Sequence, residues 1–542
     1  MDVSKMTLLE KVGQMVQCGF EGTVPSEEIK QLIREQQIGG VIYFSRNVKT
    51  IEQVAKLSDE LQEVAAEAGV APLWIAIDQE GGMVARLTDG VALMPGNMAL
   101  AAGGLNEAVY QAASITGEEL RALGINLNYA PDIDVNNNAR NPVIGVRSYG
   151  ESPELVANYG RQAILGLQDA GIVATAKHFP GHGDTEKDSH LDLPTITHAR
   201  ERIYEVELRP FMEAIDAGVD AIMSSHIHFP AFEDQKLPVT LSHNVLTGLL
   251  REELGYQGVI MTDCMEMEAI ATHYGTVEAS VMAVEAGADM ILISHRHDRQ
   301  LGAIEAIVHA VEKGQIAESR IDESVERLMA LKRKRGLFAE KESMVEGLSK
   351  VGCDAHLEIA RIFSEASVTL VKDEAKLLPI NQEKKTIVIS MEAVVSSLVD
   401  ESYETVMTLG KAIGAEGFQV EEIIVPIREV TDARIEDIVQ VASGAEQIVI
   451  GTYNAHLFPQ QQLIVKQLQQ LGKPLIVVAL RNPYDLQLFD NVSTYVAIFE
   501  NRPMALQSVA KFLSGRIEAK GKLPVTISEL YPAGWGVETT HV

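Results

Sequence analysis

Cysteine is scarce in this chain. Cys18, Cys264 and Cys353 are the only three in 542 residues; they lie far apart and form no CxxC pair. No disulfide framework or zinc ribbon is expected, and a reducing compartment suits such usage. Positive charge is also short, with 46 Lys and Arg against 76 Asp and Glu, a net charge of -30. Phosphate backbones and anionic membrane surfaces need basic partners, so nucleic-acid and membrane binding are not expected. No apolar run approaches the length of a membrane span. The N-terminus, Met1-Asp2-Val3-Ser4-Lys5-Met6, has no basic start followed by an apolar core. No signal peptide is expected, and the expected location is cytoplasmic. GxGxxG and P-loop motifs are missing, so no nucleotide site is expected.

What is present is a soluble-globular composition, 46% apolar and 23% charged, in a chain too long for one core. Short apolar runs alternate with amphipathic helical segments. Gly39 to Phe44, Pro72 to Ile77, Ile125 to Ala130, Gly171 to Ala176, Asp220 to Ser225, Gly258 to Thr262 and Ala288 to Ile293 read as strands. Ser152-Pro153-Glu154 reads as a helix start, a cap residue followed by proline at the first position. Near-continuous apolar strands separated by helices imply a parallel sheet covered on both faces. Polar residues recur at the C-terminal ends of these strands, among them Asp78, Asp132, Asp134, His226 and Asp263. Gathering polar groups at many strand ends is the habit of a (β/α)8 TIM-like barrel rather than an open sheet with one switch point. The barrel is assigned to residues 1–335. A linker of 336–373 with a helix at its centre follows, then a three-layer α/β/α sandwich domain at 374–542.

Chemistry concentrates in Lys177-His178-Phe179-Pro180-Gly181-His182-Gly183-Asp184-Thr185-Glu186-Lys187-Asp188-Ser189-His190. Pro180, Gly181 and Gly183 oppose regular structure, so a loop begins near Phe179. Three histidines, three carboxylates and two lysines share these fourteen residues. Ionisable groups crowded at the end of a strand mark a site, because core packing does not require them.

This stretch, together with Asp78-Gln79-Glu80-Gly81-Gly82, Asn141-Pro142 through Arg147-Ser148-Tyr149, and Met261-Thr262-Asp263-Cys264-Met265-Glu266-Met267, resembles glycoside hydrolase family 3, in particular its β-N-acetylglucosaminidase branch in the two-domain form. Pro238 to Ser242, Arg481 to Asp485 and Gly521 to Thr526 extend the resemblance over almost the whole chain. It implies that Asp263 is the nucleophile, forming a covalent glycosyl-enzyme. It implies that His190 is the general acid and base, oriented by Asp188, a role that an imidazole with a carboxylate neighbour can fill. Asp78, Arg86, Arg147, Lys177 and His178 match the positions that grip the terminal sugar, with Arg147 near its 2-acetamido group. Glu266 and Glu268 are the carboxylates most easily mistaken for the nucleophile. Met83, Asp132 and Cys264 depart from the family pattern, Met83 standing where arginine is common.

The activity implied is a retaining exo-β-N-acetylglucosaminidase acting on muropeptides or chito-oligosaccharides, without cofactor or metal, as a monomer or homodimer. Two alternatives stand beside it. A histidine acid/base would not repel phosphate, so an N-acetylglucosamine phosphorylase is compatible with the same scaffold. A barrel metal hydrolase could draw on His178, His182, Asp184, Asp188 and His190, although Pro180-Gly181 prevents the helix that the spacing of His178 and His182 would need.

Overall fold

The computed structural model describes residues 2–186, 193–339, 347–392, 407–489 and 491–539. The first strands are β1 (Val16–Gly19), β2 (Gly40–Tyr43) and β3 (Trp74–Ile77). A hairpin of β4 (Gln79–Gly81) and β5 (Val84–Ala85) follows, then β6 (Leu127–Asn128), β7 (Val173–Phe179), β8 (Ala221–Ser224), β9 (Val259–Met261) and β10 (Ile291–Ile293). Eight of them form one sheet in the order β10-β1-β2-β3-β6-β7-β8-β9, with every neighbour parallel. The ends of this order also meet. Met261 bridges Met290, and the Thr262 amide donates to the Met290 carbonyl at 3.0 Å. The sheet is therefore a closed (β/α)8 barrel, as the alternation of apolar strands and helices implied.

Local chemistry explains the elements. Ser152 caps the helix Pro153–Asp169 by accepting from the Leu155 amide, with proline in the first turn, as its sequence implies. The first strand is the one that apolar runs do not reveal, because Gln17 interrupts it. Gln17 is buried and satisfied: its Nε2 donates to the Val41 carbonyl at 3.0 Å, and its Oε1 accepts from Tyr129 Oη at 2.5 Å.

The helix Glu318–Lys334 closes the N-terminal end of the barrel. Its Lys332 is fully buried, donating to Gln14 Oε1 at 2.8 Å and to the Gly39 carbonyl at 3.2 Å, with Nζ 5.7 Å from the centre of the Trp74 ring. Burial pushes its ammonium down to about 7. Between that value and the ordinary lysine range the unfolded chain holds a proton that the folded chain has released, so stability rises with pH through this window. Denaturant unfolding at pH 7.5 and 9.5 is expected to show the wild type gaining on Lys332→Met by up to roughly 1.4 kcal/mol per pH unit. A pH-independent difference between the two proteins would contradict this account of Lys332.

The helix Asp354–Ser367, within the stretch read as linker, packs on the barrel helix Asn97–Gly103 and on Pro503–Leu513 of the second unit. The sheet of the second unit takes in the end of that stretch as β11 (Thr369–Asp373). Its other strands are β12 (Thr386–Met391), β13 (Val420–Val425), β14 (Gln447–Thr452), β15 (Leu475–Ala479) and β16 (Thr494–Ala497). The order is β11-β16-β15-β14-β12-β13, and β11 alone is antiparallel. Helices Leu409–Ala415 and Pro503–Leu513 pack together, as do Asp432–Ala442 and Gln460–Gln470, giving a sandwich of three layers. The two units share apolar contact: Met83, Met98, Ala99, Ala102 and Val146 from the barrel belong to the core of the second. Among the described residues, no helix is long and apolar enough to cross a membrane.

Candidate active site

The barrel's strands deliver their polar ends to one cavity of about 420 Å³. Asp78 follows β3, Lys177 and His178 end β7, and Asp263 lies two residues beyond β9. These four line the cavity with Arg86 and Arg147. All the expected site residues that the structure describes therefore meet in one place. Asp188 and His190, expected as the acid/base pair, lie outside the described residues.

Carboxylates and cations alternate on one wall. Lys177 Nζ lies 3.0 Å from Asp78 Oδ1 and 2.7 Å from Glu80 Oε1. Arg86 donates to Asp78 Oδ2 at 3.2 Å. Arg147 forms a fork on Glu80, through Nε at 3.0 Å and NH2 at 2.8 Å, the strong bidentate geometry of guanidinium with carboxylate. Burial pushes the Asp78 and Glu80 carboxyls up, but Lys177 with Arg86 at the first, and Arg147 with Lys177 at the second, outweigh it and leave both below the ordinary range. Both are thus held as anions in a dry wall.

Behind this wall sits a second acidic pair. Asp134 accepts from the His178 amide at 3.2 Å, from the His182 amide at 2.7 Å and from His178 Nδ1 at 2.8 Å. It thereby ties the end of β7 to the turn at His182. With Nδ1 donating, His178 Nε2 faces Arg147 NH2 at 3.5 Å. Burial, then Arg147 and Lys177, hold the imidazole well below its ordinary range, so it is neutral. Asp132, fully buried, has its Oδ2 3.4 Å from Arg147 NH2. Burial and its neighbour Asp134 push its carboxyl well above the usual range, against the opposing pull of Arg147.

Asp263 stands across from these cations. The Cys264 amide donates to its Oδ1 at 2.7 Å. The Cys264 carbonyl accepts from His226 Nε2 at 2.9 Å, and His226 Nδ1 meets Thr240 Oγ1 at 2.8 Å. A carbonyl only accepts, so His226 Nε2 carries a proton. Pro238 to Ser242 thus reaches the site as a support for the backbone beside Asp263. Cys264 lines the cavity, and burial pushes its thiol up to about 11, leaving it protonated.

The other two carboxylates of that turn separate cleanly. Glu266 accepts from the amides of His295 at 2.6 Å and Arg296 at 3.2 Å, anchoring the segment after β10. Glu268 is exposed. Met83 does not line the cavity; it is buried at the junction of the two units, its Sδ accepting from the Asn501 amide at 3.4 Å. Of the five residues considered as metal ligands, the described ones face different partners: His178 faces Asp134, His182 Nδ1 faces Thr185 Oγ1 at 2.9 Å, and Asp184 faces His198 at 2.5 Å; Asp188 and His190 lie outside the described residues.

Glu80 is the residue whose role the sequence hid. It stands inside a motif, but its partners are 67 and 97 positions away and meet it only when β7 and the turn before Ser148 close on the β4–β5 hairpin. His182, from the Lys177 to His190 stretch, lines the cavity too, as do Phe44, Arg46, Tyr129 and His295, which carry no sequence signal of their own.

Among known proteins, residues 7–331 match the glycosyl hydrolase family 3 N-terminal domain and residues 368–533 its C-terminal domain. A solved family 3 β-N-acetylglucosaminidase from Paenibacillus sp. str. FPU-7 is 48% identical, with a TM-score of 0.92 over 96% of this chain and 99% of that one. β-Hexosaminidase A of Pseudoalteromonas piscicida is 30% identical over 94% of this chain and 93% of its own length. A β-N-acetylglucosaminidase/β-glucosidase of Cellulomonas fimi is 29% identical over 95% and 93%.

Proposed function

We propose, on the premise that this chain belongs to glycoside hydrolase family 3, that it is a β-N-acetylglucosaminidase that removes terminal N-acetylglucosamine by double displacement. The observation that carries the reading is the meeting of Asp263 with Asp78, Arg86, Arg147, Lys177 and His178 in one cavity. Its volume lies toward the small end of ligand pockets, ~300–1,000 Å³, which supports exo action on one terminal sugar. The charge-assisted wall supplies donors and acceptors for sugar hydroxyls, and a sugar lacking one of them leaves a buried charge unpaired.

In the first step Asp263 attacks the anomeric carbon, the glycosidic C–O bond breaks, and the leaving oxygen takes a proton from His190. In the second, His190 takes a proton from water, the oxygen of that water bonds to the anomeric carbon, and the ester to Asp263 breaks. Asp188 orients His190. Muropeptides in the cytoplasm are the proposed substrates, ahead of chito-oligosaccharides.

Nitrophenol release from the β-N-acetylglucosaminide should exceed release from the β-glucoside, and a disaccharide–peptide fragment of cell wall should be cleaved faster than chitobiose. Equal rates on the two nitrophenyl sugars would remove the N-acetyl assignment. Run in phosphate buffer, the same reaction should yield free N-acetylglucosamine. N-acetylglucosamine 1-phosphate as the main product would replace hydrolysis by phosphorolysis.

A further inference from the structure

Glu80 holds both Arg147 and Lys177, so whatever fixes Glu80 fixes the sugar-facing cations. The next three residues, Gly81-Gly82-Met83, turn the hairpin from β4 to β5, and this turn is gripped by the second unit. Arg502 Nε donates to the Gly82 carbonyl at 2.7 Å, and its NH2 donates to the Met83 carbonyl at 3.0 Å. Glu500 Oε2 accepts from the Gly96 amide at 2.7 Å, while the Gly82 amide donates to the Met94 carbonyl at 3.0 Å. The fit leaves no slack. Gly82 has φ +53°, and a Cβ there would lie 2.6 Å from Glu500 Oε2. Glu500, Asn501 and Arg502 are all buried. Phe499 just before them has φ +61°, a left-handed conformation that a non-glycine residue adopts only when its surroundings impose it.

Resting on the reaction proposed above, we infer that Arg502, assisted by Glu500, is a positioning residue for the sugar subsite. The second unit sets the place of the Gly81–Met83 turn, the turn sets Glu80, and Glu80 sets Arg147 and Lys177. Arginine suits the task because one planar fork spans two successive carbonyls, which a lysine ammonium cannot match.

The test compares Arg502→Met, Arg502→Lys and Thr526→Val in the full chain. Thr526 makes another contact between the units, donating through its amide at 2.8 Å and Oγ1 at 2.6 Å to Glu151, away from the hairpin. Arg502→Met should lower kcat/KM on the nitrophenyl N-acetylglucosaminide about 10- to 100-fold, the size of loss that misplaced binding groups cause. It should also speed hydrogen exchange in residues 79–87. Arg502→Lys should recover part of both, and it decides the matter if Arg502→Met does not fold. Thr526→Val should change neither. A folded Arg502 variant with wild-type kcat/KM and wild-type exchange would overturn the inference, as would Thr526→Val losing as much as Arg502→Met. A wild type inactive on the sugar would overturn the proposed reaction instead, and the exchange of residues 79–87 would still decide the role of Arg502.

Discussion

Asp263→Asn is expected to reduce kcat on the nitrophenyl N-acetylglucosaminide by about 10⁴-fold or more, the scale of removing a group through which a covalent step must pass. Asparagine keeps the size of the side chain and its oxygen can still accept from the Cys264 amide, so the backbone beside it has no reason to move. What is lost is the anion that bonds to the anomeric carbon. The neighbouring carboxylates do not substitute for it. Glu266 is engaged by the amides of His295 and Arg296, and Asp78 by Lys177 and Arg86. Sugar binding should survive, because the gripping groups are untouched. Calorimetry with N-acetylglucosamine on the variant, beside the rate measurement, separates the two quantities. Near-wild-type turnover by a pure Asp263→Asn preparation would show that another residue is the nucleophile.

The second large effect is expected at Glu80. Glu80→Ala leaves Arg147 and Lys177 without the carboxylate they share, in a wall where all three side chains are almost wholly shielded from water. Breaking a buried pair by removing one partner typically costs about 3–5 kcal/mol. Unfolding should therefore shift by that order, and hydrolysis should fall with it as the two cations redistribute toward Asp78 and Asp132. Acid titration offers a second reading. Glu80 and Asp78 both lie below the ordinary carboxyl range. In the acid region the unfolded chain takes up protons before the folded chain does, so their contribution is complete above the unfolded values and lost as pH falls through the folded ones. Wild-type stability should therefore fall more steeply below about pH 4.5 than that of Glu80→Gln. Matching acid slopes in the two proteins would remove the ionised Glu80 from the account.

Much of this site could be read before the fold was known, and the parts that could not share a cause. Lys177 and His178 announce themselves because charged groups at the end of a buried apolar run have no reason to be there except function. Asp78 and Asp263 follow the same rule at β3 and β9. The barrel itself was readable from repetition. Glu80, Asp134 and His226 were not assigned roles because their work lies in pairings across the barrel, fixed only when distant strands come into register. Gln17 concealed β1 because its satisfaction depends on Val41 and Tyr129, which a local window does not contain. Met83 stood out as a departure from the family pattern, yet its surroundings come from Asn501 and the second core, more than four hundred positions away. Periodicity finds elements; it does not find the partners of single polar atoms.

The apolar junction between the units limits how this protein can be taken apart. Met83, Met98 and Val146 belong to the barrel by sequence but to the second unit's core by packing. A gene cut after the helix Glu318–Lys334 would encode a barrel with a greasy scar beside its catalytic mouth, prone to self-association. The second unit is therefore no detachable cassette: exchanging it for another sandwich means redesigning the barrel side of the seam at the same time.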